Sequence, residues 1–224
     1  MERTGYLFLK RVFDITAGLA GIVITMPIWI AAMIGILISD PGPVFFHAER
    51  LGKDNHPFCM WKFRSMRVPK NHREQSEASF KADTRRIFPW GETMRRLKID
   101  ELPQLLNVVN GTMSVVGPRP AAKDQAAIMR SGAGAAAASV KPGLTGPAAL
   151  YDYIYGDSVE DPEDYKQLVL PTRLFLEGFY PEHMGIIFDL QMIFFTVECI
   201  ACSVLKKTPE KILTKIKSYE NSSQ

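Results

Sequence analysis

Residues 15–38 read ITAGLAGIVITMPIWIAAMIGILI, an apolar run without a charged side chain. As a straight helix, at about 1.5 Å per residue, the run would extend roughly 36 Å, enough to cross a hydrocarbon core of about 30 Å. Pro27 lies in its middle, where a helix loses a hydrogen bond and the ring clashes with the preceding turn. Each half would then extend roughly 18 Å, too short to cross. The run therefore predicts a membrane anchor that breaks at Pro27.

Positive charge flanks the apolar run on both sides. The cations before it are Arg3, Lys10 and Arg11, and those after it are Arg50 and Lys53. Because segments rich in Lys and Arg stay in the cytoplasm, both ends of the run are expected there. A helix that enters the bilayer, breaks and returns meets this expectation, and a Pro-kinked spanning helix is the alternative. Residues 1–39 are thus predicted to form a re-entrant helix-break-helix anchor.

Several polar side chains of the anchor have expected partners. The break would free the carbonyl of Val23, and the hydroxyl of Thr25 is a candidate donor to it. Asp14 lies one turn beyond Lys10 and Arg11 and is expected to pair with these cations at the membrane interface. The anchor residues predicted here are Lys10, Arg11, Asp14 and Pro27.

The charge of the whole chain is nearly balanced, with 27 Lys and Arg against 24 Asp and Glu and a net charge of +3. This weak excess does not indicate nucleic acid as a partner. Basic residues crowd between positions 50 and 96, which suits a surface facing anionic lipid or phosphate ligands. An ordinary solvated basic face is the alternative. The cysteines lack the paired spacing of a metal site and do not call for an oxidising compartment.

Beyond the anchor, the patterns predict a mixed α/β fold that is mostly helical. Short strands are expected at 44–46 and 58–61, joined as a hairpin, and at 115–116 before a rigid turn. Helical patterns cover the polar segment 68–82, segment 102–109 and the apolar segment 185–205, while 131–139 predicts a flexible connection or a weak helix end.

The apolar segment 185–205 has two interpretations. It can lie as an amphipathic helix on the membrane or against the anchor, or it can be an ordinary core helix. In either case residues 40–205 are predicted to form one small catalytic domain, with 206–224 as a polar C-terminal tail.

Two adjacent carboxylates, Asp100 and Glu101, precede the predicted helix of residues 102–109. They could cap that helix and complement its dipole. The same position also suits chemistry, because Arg95 and its basic neighbours can hold a diphosphate. One carboxylate could coordinate Mg²⁺ or attack a phosphorus to give an acyl phosphate, and its neighbour could accept a proton.

Arg119 is held between Pro118 and Pro120. Rigid presentation of a guanidinium suits bidentate binding of phosphate, although the same three residues could form a structural corner. Residues 141–146, KPGLTG, form another tight turn with backbone donors.

An ordered set of motifs resembles the bacterial sugar transferases that are small monotopic phosphoglycosyl transferases. The motifs are Lys10-Arg11 with Asp14, Asp40-Pro41-Gly42-Pro43, Arg50-Leu51-Gly52, Lys62-Phe63-Arg64-Ser65-Met66, Asp100-Glu101-Leu102-Pro103-Gln104, Val116-Gly117-Pro118-Arg119-Pro120 and Lys141-Pro142-Gly143-Leu144-Thr145-Gly146. The resemblance covers the chain from about residue 10 to residue 196, and the shared order of the motifs is far more specific than any single motif.

The resemblance implies a polyprenyl-phosphate sugar-1-phosphate transferase with a re-entrant anchor and a cytoplasmic catalytic domain, at the cytoplasmic face of the bacterial inner membrane. It implies an Mg²⁺-dependent ping-pong reaction through a phosphosugar on Asp100, which also contacts the metal, with Glu101 as base or metal-site partner. The implied substrate- and phosphate-binding residues are Lys62, Arg64, Arg95 and Arg119. The partners would be a UDP-sugar, undecaprenyl phosphate and membrane lipids, and a homodimer stays open. The product would begin a glycoconjugate.

The chain departs from the family pattern at three places. Lys98 stands where a small hydroxyl residue is common, and Thr112 stands where an acid is frequent. After Gly146 the chain continues PAALYDY through residue 153, where many members proceed toward a Gly-Arg pair. This segment indicates a different subgroup, and sugar choice is expected to depend on it.

Two rival functions come from other classes. One is an inactive membrane scaffold that recruits glycosyltransferases, against which the intact Asp100, Glu101 and Arg119 argue. The other is a bitopic protein with an extracellular binding domain, against which the positive charges after residue 38 argue.

Overall fold

The computed structural model describes residues 3–67 and 84–221, so the predicted polar segment 68–82 lies outside the described residues. The described chain is mostly helical with short strands, which confirms the predicted mixed α/β, mostly helical class. The helices are α1 (Arg3–Ser39), α2 (Pro89–Arg96), α3 (Gln104–Asn110), α4 (Ala126–Met129), α5 (Pro147–Ile154), α6 (Pro162–Asp164), α7 (Leu170–His183), α8 (Ile186–Val204) and α9 (Glu210–Asn221). The strands are β1 (Phe45–Leu51), β2 (Pro57–Phe63), β3 (Ser114–Val116), β4 (Ala121–Ala122) and β5 (Gly143–Thr145).

The predicted hairpin is confirmed. β1 and β2 pair antiparallel, beginning with Phe45 opposite Phe63. Asp54 and Asn55 in the connecting turn have φ angles of 53° and 58°, a left-handed conformation that Asp and Asn tolerate better than most residues. β4 pairs antiparallel with the other edge of β1, and β3 pairs parallel with β5.

α1 continues through Pro27 as one helix, so the predicted division into two helices is not present. The Thr25 hydroxyl donates to the carbonyl oxygen of Gly21 at 2.6 Å and accepts from Trp29 Nε1 at 3.1 Å. It does not donate to the carbonyl of Val23 as predicted, because the hydroxyl of a threonine in a helix hydrogen-bonds to the carbonyl four residues earlier. Such side-chain bonds around a proline help a helix to tolerate it.

α1 packs against the rest of the chain at both of its ends. Near its start the Tyr6 hydroxyl donates to Asp189 of α8 at 2.8 Å. Near its end Ile36 is fully buried in a cluster with Phe63 and Phe88. The opposite face is apolar and exposed, and it includes Phe8, Val12, Leu19, Val23, Ile24 and Ile38. By length and composition alone, Thr4–Ser39 and Ile186–Val204 could each cross a membrane.

The predicted pairing of Asp14 with Lys10 and Arg11 is wrong. Asp14 is buried, and its Oδ1 accepts from Ser114 Oγ at 3.0 Å and from the backbone N–H of Val115 at 2.9 Å. Lys10 instead forms a 2.6 Å ion pair with Asp189 of α8. Arg11 donates to two carbonyls at the C-terminal end of α3, at 2.7 and 2.8 Å, where a cation complements the helix dipole. Tertiary partners therefore replace the expected neighbours within the helix.

The largest core cluster joins α5, α7, α8 and α9. Ile212 and Ile216 of α9 are buried in it, so the segment predicted as a polar tail contains a helix that completes the core. The small residues 132–139 form 3₁₀ turns against α7. A Cβ on Gly178 would lie 1.8 Å from the carbonyl oxygen of Ala133, so this close approach requires glycine.

Candidate active site

Asp100 and Glu101 occupy a single 3₁₀ turn between α2 and α3. The turn follows Lys98, whose φ of 55° is left-handed and reverses the chain after α2. Pro103 is the N-cap residue of α3, and no side chain of the described residues caps that helix. Helix capping therefore does not explain the two acids.

Asp100 is almost completely buried, and its Oδ1 has no hydrogen-bond partner among the described residues. Burial raises the pKa of this carboxyl, and the charge of Lys62 opposes the rise. The negative charge of Glu101 adds to the rise, while Arg95 also opposes it. The carboxyl thus combines a desolvated oxygen with positive charges that favour its ionised form.

Glu101 has a different environment, because its Oε1 lies 2.9 Å from Lys62 Nζ and 3.7 Å from a terminal nitrogen of Arg119. Burial alone would raise its pKa, but the charges of Lys62, Lys98 and Arg119 hold the pKa of Glu101 well below its usual range. Glu101 is therefore an ionised, paired carboxylate.

Arg119 is fixed at both its backbone and its side chain. Its backbone N–H donates to Glu177 Oε2 at 2.7 Å. Burial alone would lower the pKa of its guanidinium, but the carboxylates of Glu101 and Asp152 raise it. The turn that carries Arg119 packs closely against the KPGLTG turn of residues 141–146, and glycines form this contact. A Cβ on Gly143 would lie 2.1 Å from the backbone nitrogen of Gly117.

Among the described residues, Arg95 has no carboxylate within ion-pair distance, and its guanidinium contacts Met66 Sδ at 3.8 Å. Its charge still acts on Asp100. The structure therefore brings five of the predicted site residues together, namely Lys62, Arg95, Asp100, Glu101 and Arg119.

The described contacts of Arg64 lie outside this group of five residues. Its guanidinium donates to the side chain and carbonyl of Asp40, and its Nε donates to the carbonyl of Pro43 at 2.6 Å. It also stacks over the ring of Phe88 at 5.6 Å. These contacts give Arg64 a structural role at the turn after α1, and its predicted binding of phosphate stays a prediction.

The family model described as Bacterial sugar transferase matches residues 5–203 of the chain. The chain belongs to this family. It is 33% identical over 193 residues to the Escherichia coli K12 UDP-glucose:undecaprenyl-phosphate glucose-1-phosphate transferase, covering 84% of this chain and 39% of that relative. It is 34% identical over 200 residues to the exopolysaccharide production protein PSS of Rhizobium leguminosarum bv. phaseoli, covering 85% and 94% respectively.

A third relative is the putative undecaprenyl-phosphate N-acetylgalactosaminyl 1-phosphate transferase of Bacillus subtilis 168. It is 43% identical over 122 residues, covering 53% of this chain and 66% of the relative. This bacterial sugar transferase thus spans well under half of the E. coli relative but nearly the whole of PSS.

Behind Arg119, the bacterial sugar transferase has a buried charged network that the sequence reasoning missed. Arg173 of α7 lies 3.5 Å from Asp152 Oδ2 and 3.8 Å from Glu177 Oε1, and it donates to the Tyr165 hydroxyl at 2.6 Å. Burial raises the pKa of Glu177, and the charge of Arg173 opposes the rise. An Arg and a Glu four residues apart in the apolar stretch RLFLEGFY were a signal that could have revealed it.

The donor set of this bacterial sugar transferase fits a magnesium ion held jointly with substrate. Among the described residues, no three His, Cys, Asp or Glu side chains are grouped to hold a metal. Mg²⁺ commonly takes one or two carboxylates together with substrate phosphates and water. The unpartnered, buried Oδ1 of Asp100 is the kind of oxygen such a site uses.

Proposed function

We propose that this bacterial sugar transferase moves a sugar 1-phosphate from a UDP-sugar to undecaprenyl phosphate and releases UMP. The observation that carries this proposal is the buried Asp100, whose Oδ1 has no hydrogen-bond partner in the described part of the chain and is acted on by the charges of Lys62, Arg95 and Lys98. The names of the E. coli and B. subtilis relatives support this substrate class. The product would begin the assembly of a polysaccharide or another glycoconjugate.

In the first half-reaction, an oxygen of Asp100 forms a bond to the sugar-linked phosphorus of the donor. The bond from that phosphorus to the bridging oxygen breaks, and UMP leaves with the electron pair. Burial strips water from the carboxyl group and raises its pKa, and the neighbouring cations favour the ionised form that attacks. A covalent phosphosugar on Asp100 divides the transfer into two simpler displacements.

In the second half-reaction, an oxygen of undecaprenyl phosphate attacks the same phosphorus. The acyl phosphate bond breaks, and Asp100 leaves with the electron pair as a carboxylate. Because the second pKa of a phosphate monoester is about 6, the acceptor is largely deprotonated at neutral pH. A strong general base is therefore not required.

Two roles are open to Glu101. Its role as a partner of the cations and the metal is better supported than its role as a proton acceptor. A carboxylate with a low pKa and two cationic neighbours is a weak base. Glu101 instead orients Lys62 and Arg119 toward the phosphates.

Asp100 would hold Mg²⁺, with Glu101 close by, and the ion would neutralise the charge that develops on the diphosphate. Lys62, Arg95 and Arg119 would bind the phosphate oxygens beside it.

The packing of α1 supports a monotopic arrangement at the cytoplasmic face of the bacterial inner membrane. Contacts with the catalytic domain extend from Tyr6 to Ile36, a length of about 45 Å along a helix. A helix that keeps both ends on the same domain cannot place them on opposite sides of a bilayer. Its exposed apolar face, and that of α8 with Ile187 and Phe194, would then contact lipid.

This placement suits the reaction, because undecaprenyl phosphate cannot leave the bilayer. An active site tied to α1 lies at the height of the lipid head groups, where the acceptor phosphate is found.

The proposed function is tested with the full chain in detergent, undecaprenyl phosphate, Mg²⁺ and a panel of UDP-sugars. We expect UMP release with at least one donor, and donor alone should leave a phosphosugar mass on the peptide that contains Asp100. Wild-type protein that releases no UMP from any donor would instead support the inactive scaffold. An adduct located on another residue would overturn the role of Asp100.

A further inference from the structure

Arg50 lies near the end of β1, on the sheet face that also carries Lys62. Directly opposite residues of an antiparallel pair share a face, and side chains alternate along each strand. Lys62 lies opposite Phe46, which is four residues before Arg50 on β1. Arg50 therefore projects from the same face of the sheet as Lys62, which donates to Glu101.

On its other side, Arg50 is paired with Ala122 of β4. β4 directly follows the Pro118-Arg119-Pro120 turn, so the strand register brings Arg50 beside the segment that carries Arg119. The charges that act on Arg50 agree with this placement, with Arg119 first among them and Glu101 also present. Arg50 thus faces the active site from the sheet.

Among the residues that the structure describes, the guanidinium of Arg50 lacks a close carboxylate, unlike Lys62, Arg119 and Arg173. Within residues 3–67 and 84–221, no carboxylate or carbonyl lies within bonding distance of its side chain. Burial lowers the pKa of Arg50 and the like charge of Arg119 lowers it further, while the carboxylates of Asp124 and Glu101 oppose the decrease without bonding to the guanidinium. A half-buried cation beside a like charge is unfavourable until an anion joins it.

We propose that Arg50 is an oxyanion-binding residue of the active site, which holds a phosphate oxygen of a substrate together with Arg119. The inference rests on the proposed function for the identity of the substrates. Either substrate could supply the bound phosphate oxygen, namely the diphosphate of the donor or the phosphate of the lipid acceptor. A planar guanidinium suits either one through two parallel hydrogen bonds.

The test compares Arg50→Gln and Arg50→Lys with the wild type in the full chain. UDP, which cannot be turned over, is the probe for the donor site, and its affinity is measured by calorimetry in detergent. The KM for undecaprenyl phosphate reports on the acceptor. Lys123→Gln is the matched control, because Lys123 follows β4, carries the same charge and pairs with the exposed Glu49.

We expect Arg50→Gln to weaken UDP binding about tenfold, or to raise the KM of the acceptor about tenfold, with a smaller effect for Arg50→Lys. Loss of UDP affinity assigns the residue to the donor, and a change confined to the acceptor KM assigns it to the lipid phosphate. Lys123→Gln should change neither value.

Wild-type values for both measurements in a folded Arg50→Gln protein would overturn the proposal. If that variant does not fold, Arg50→Lys decides by the same two values, because it keeps the charge but loses the paired hydrogen bonds. The UDP measurement needs no turnover, so it separates a failure of this inference from a failure of the proposed function. Wild-type protein that neither binds UDP nor releases UMP would contradict both.

Discussion

Asp189 and Asp100 are both almost fully buried, with 6% and 4% of their surfaces exposed, but their surroundings differ. The carboxylate of Asp189 accepts from the Tyr6 hydroxyl at 2.8 Å, from Lys10 at 2.6 Å and from the Tyr180 hydroxyl at 2.7 Å. Asp100 keeps one oxygen without a hydrogen-bond partner among the described residues. A buried carboxylate with satisfied oxygens holds elements together, whereas one with an unused oxygen is available to a ligand.

The difference follows from where each residue lies. Asp189 is in the first turn of α8 and faces hydroxyl and ammonium donors from α1 and α7. Asp100 lies in a short 3₁₀ turn, where the surrounding cations act on it through charge. The first arrangement stabilises the fold, and the second stores unfavourable desolvation that substrate binding can relieve.

The largest expected effect comes from removing the charge of the unsatisfied aspartate. Asp100→Asn should lower UMP release by roughly 10⁴-fold or more, as the loss of a nucleophile does. It should leave thermal stability unchanged or raised, because a buried, unpaired charge disappears. UMP assays and thermal unfolding in detergent check the two outcomes. Turnover above one-tenth of wild type, or a phosphosugar on the variant, would contradict the nucleophile assignment.

Removal of Mg²⁺ should have the next largest effect. A divalent ion contributes several kcal/mol to a charged transition state, so EDTA should lower activity by about 100-fold or more. Added Mg²⁺ should restore the rate. Full activity in EDTA would show that the cations Lys62, Arg95 and Arg119 neutralise the diphosphate alone.

Asp189→Asn should have the opposite pattern to Asp100→Asn. It leaves the buried Lys10 without a counter-charge, so we expect a loss of about 3 kcal/mol in the free energy of unfolding. Tyr180→Phe, which removes one neutral donor, should cost about 1 kcal/mol. Activity should fall only as the folded fraction falls. A stable Asp189→Asn protein with slow turnover would remove the distinction between the two aspartates.

Glu101→Gln should have a smaller effect on rate than Asp100→Asn. Loss of its charge frees Lys62 and Arg119 from a carboxylate, and we expect a decrease of about 10- to 100-fold in turnover. The phosphosugar on Asp100 should still form from donor alone, and mass spectrometry can detect it. Complete loss of the adduct would place Glu101 in the first half-reaction.

Local patterns in the sequence predicted some of the elements, because neighbouring residues decide them. The β1–β2 hairpin, the strand at 114–116 and the helix at 186–204 follow from alternation, turn residues and apolar runs. The helix α9 was not predicted, because residues 206–224 were predicted to be a polar tail although Ile212 and Ile216 are four residues apart.

The partners of buried charges were much harder to predict. Lys10 and Asp189 are 179 residues apart, and Asp14 and Ser114 are 100 residues apart. No periodicity links such positions, so the helix neighbours were chosen wrongly. Asp100 and Glu101 were proposed as catalytic acids through their order with other motifs, whereas the support of Arg119 by Glu177 depends on tertiary packing.

The last and smallest expected effect concerns topology, and it tests whether the Asp189 network exists in the membrane. Tyr6 and Lys10 can reach Asp189 only if the start of α1 lies on the same side of the bilayer as the catalytic domain. Single cysteines at the exposed Thr4 and Asn55, in a background with the native cysteines replaced, should therefore both resist a membrane-impermeant reagent in intact cells. Both should react once the cells are opened. Labelling of Thr4→Cys in intact cells, with Asn55→Cys protected, would mean that α1 spans the membrane and that the Asp189 network is not formed there.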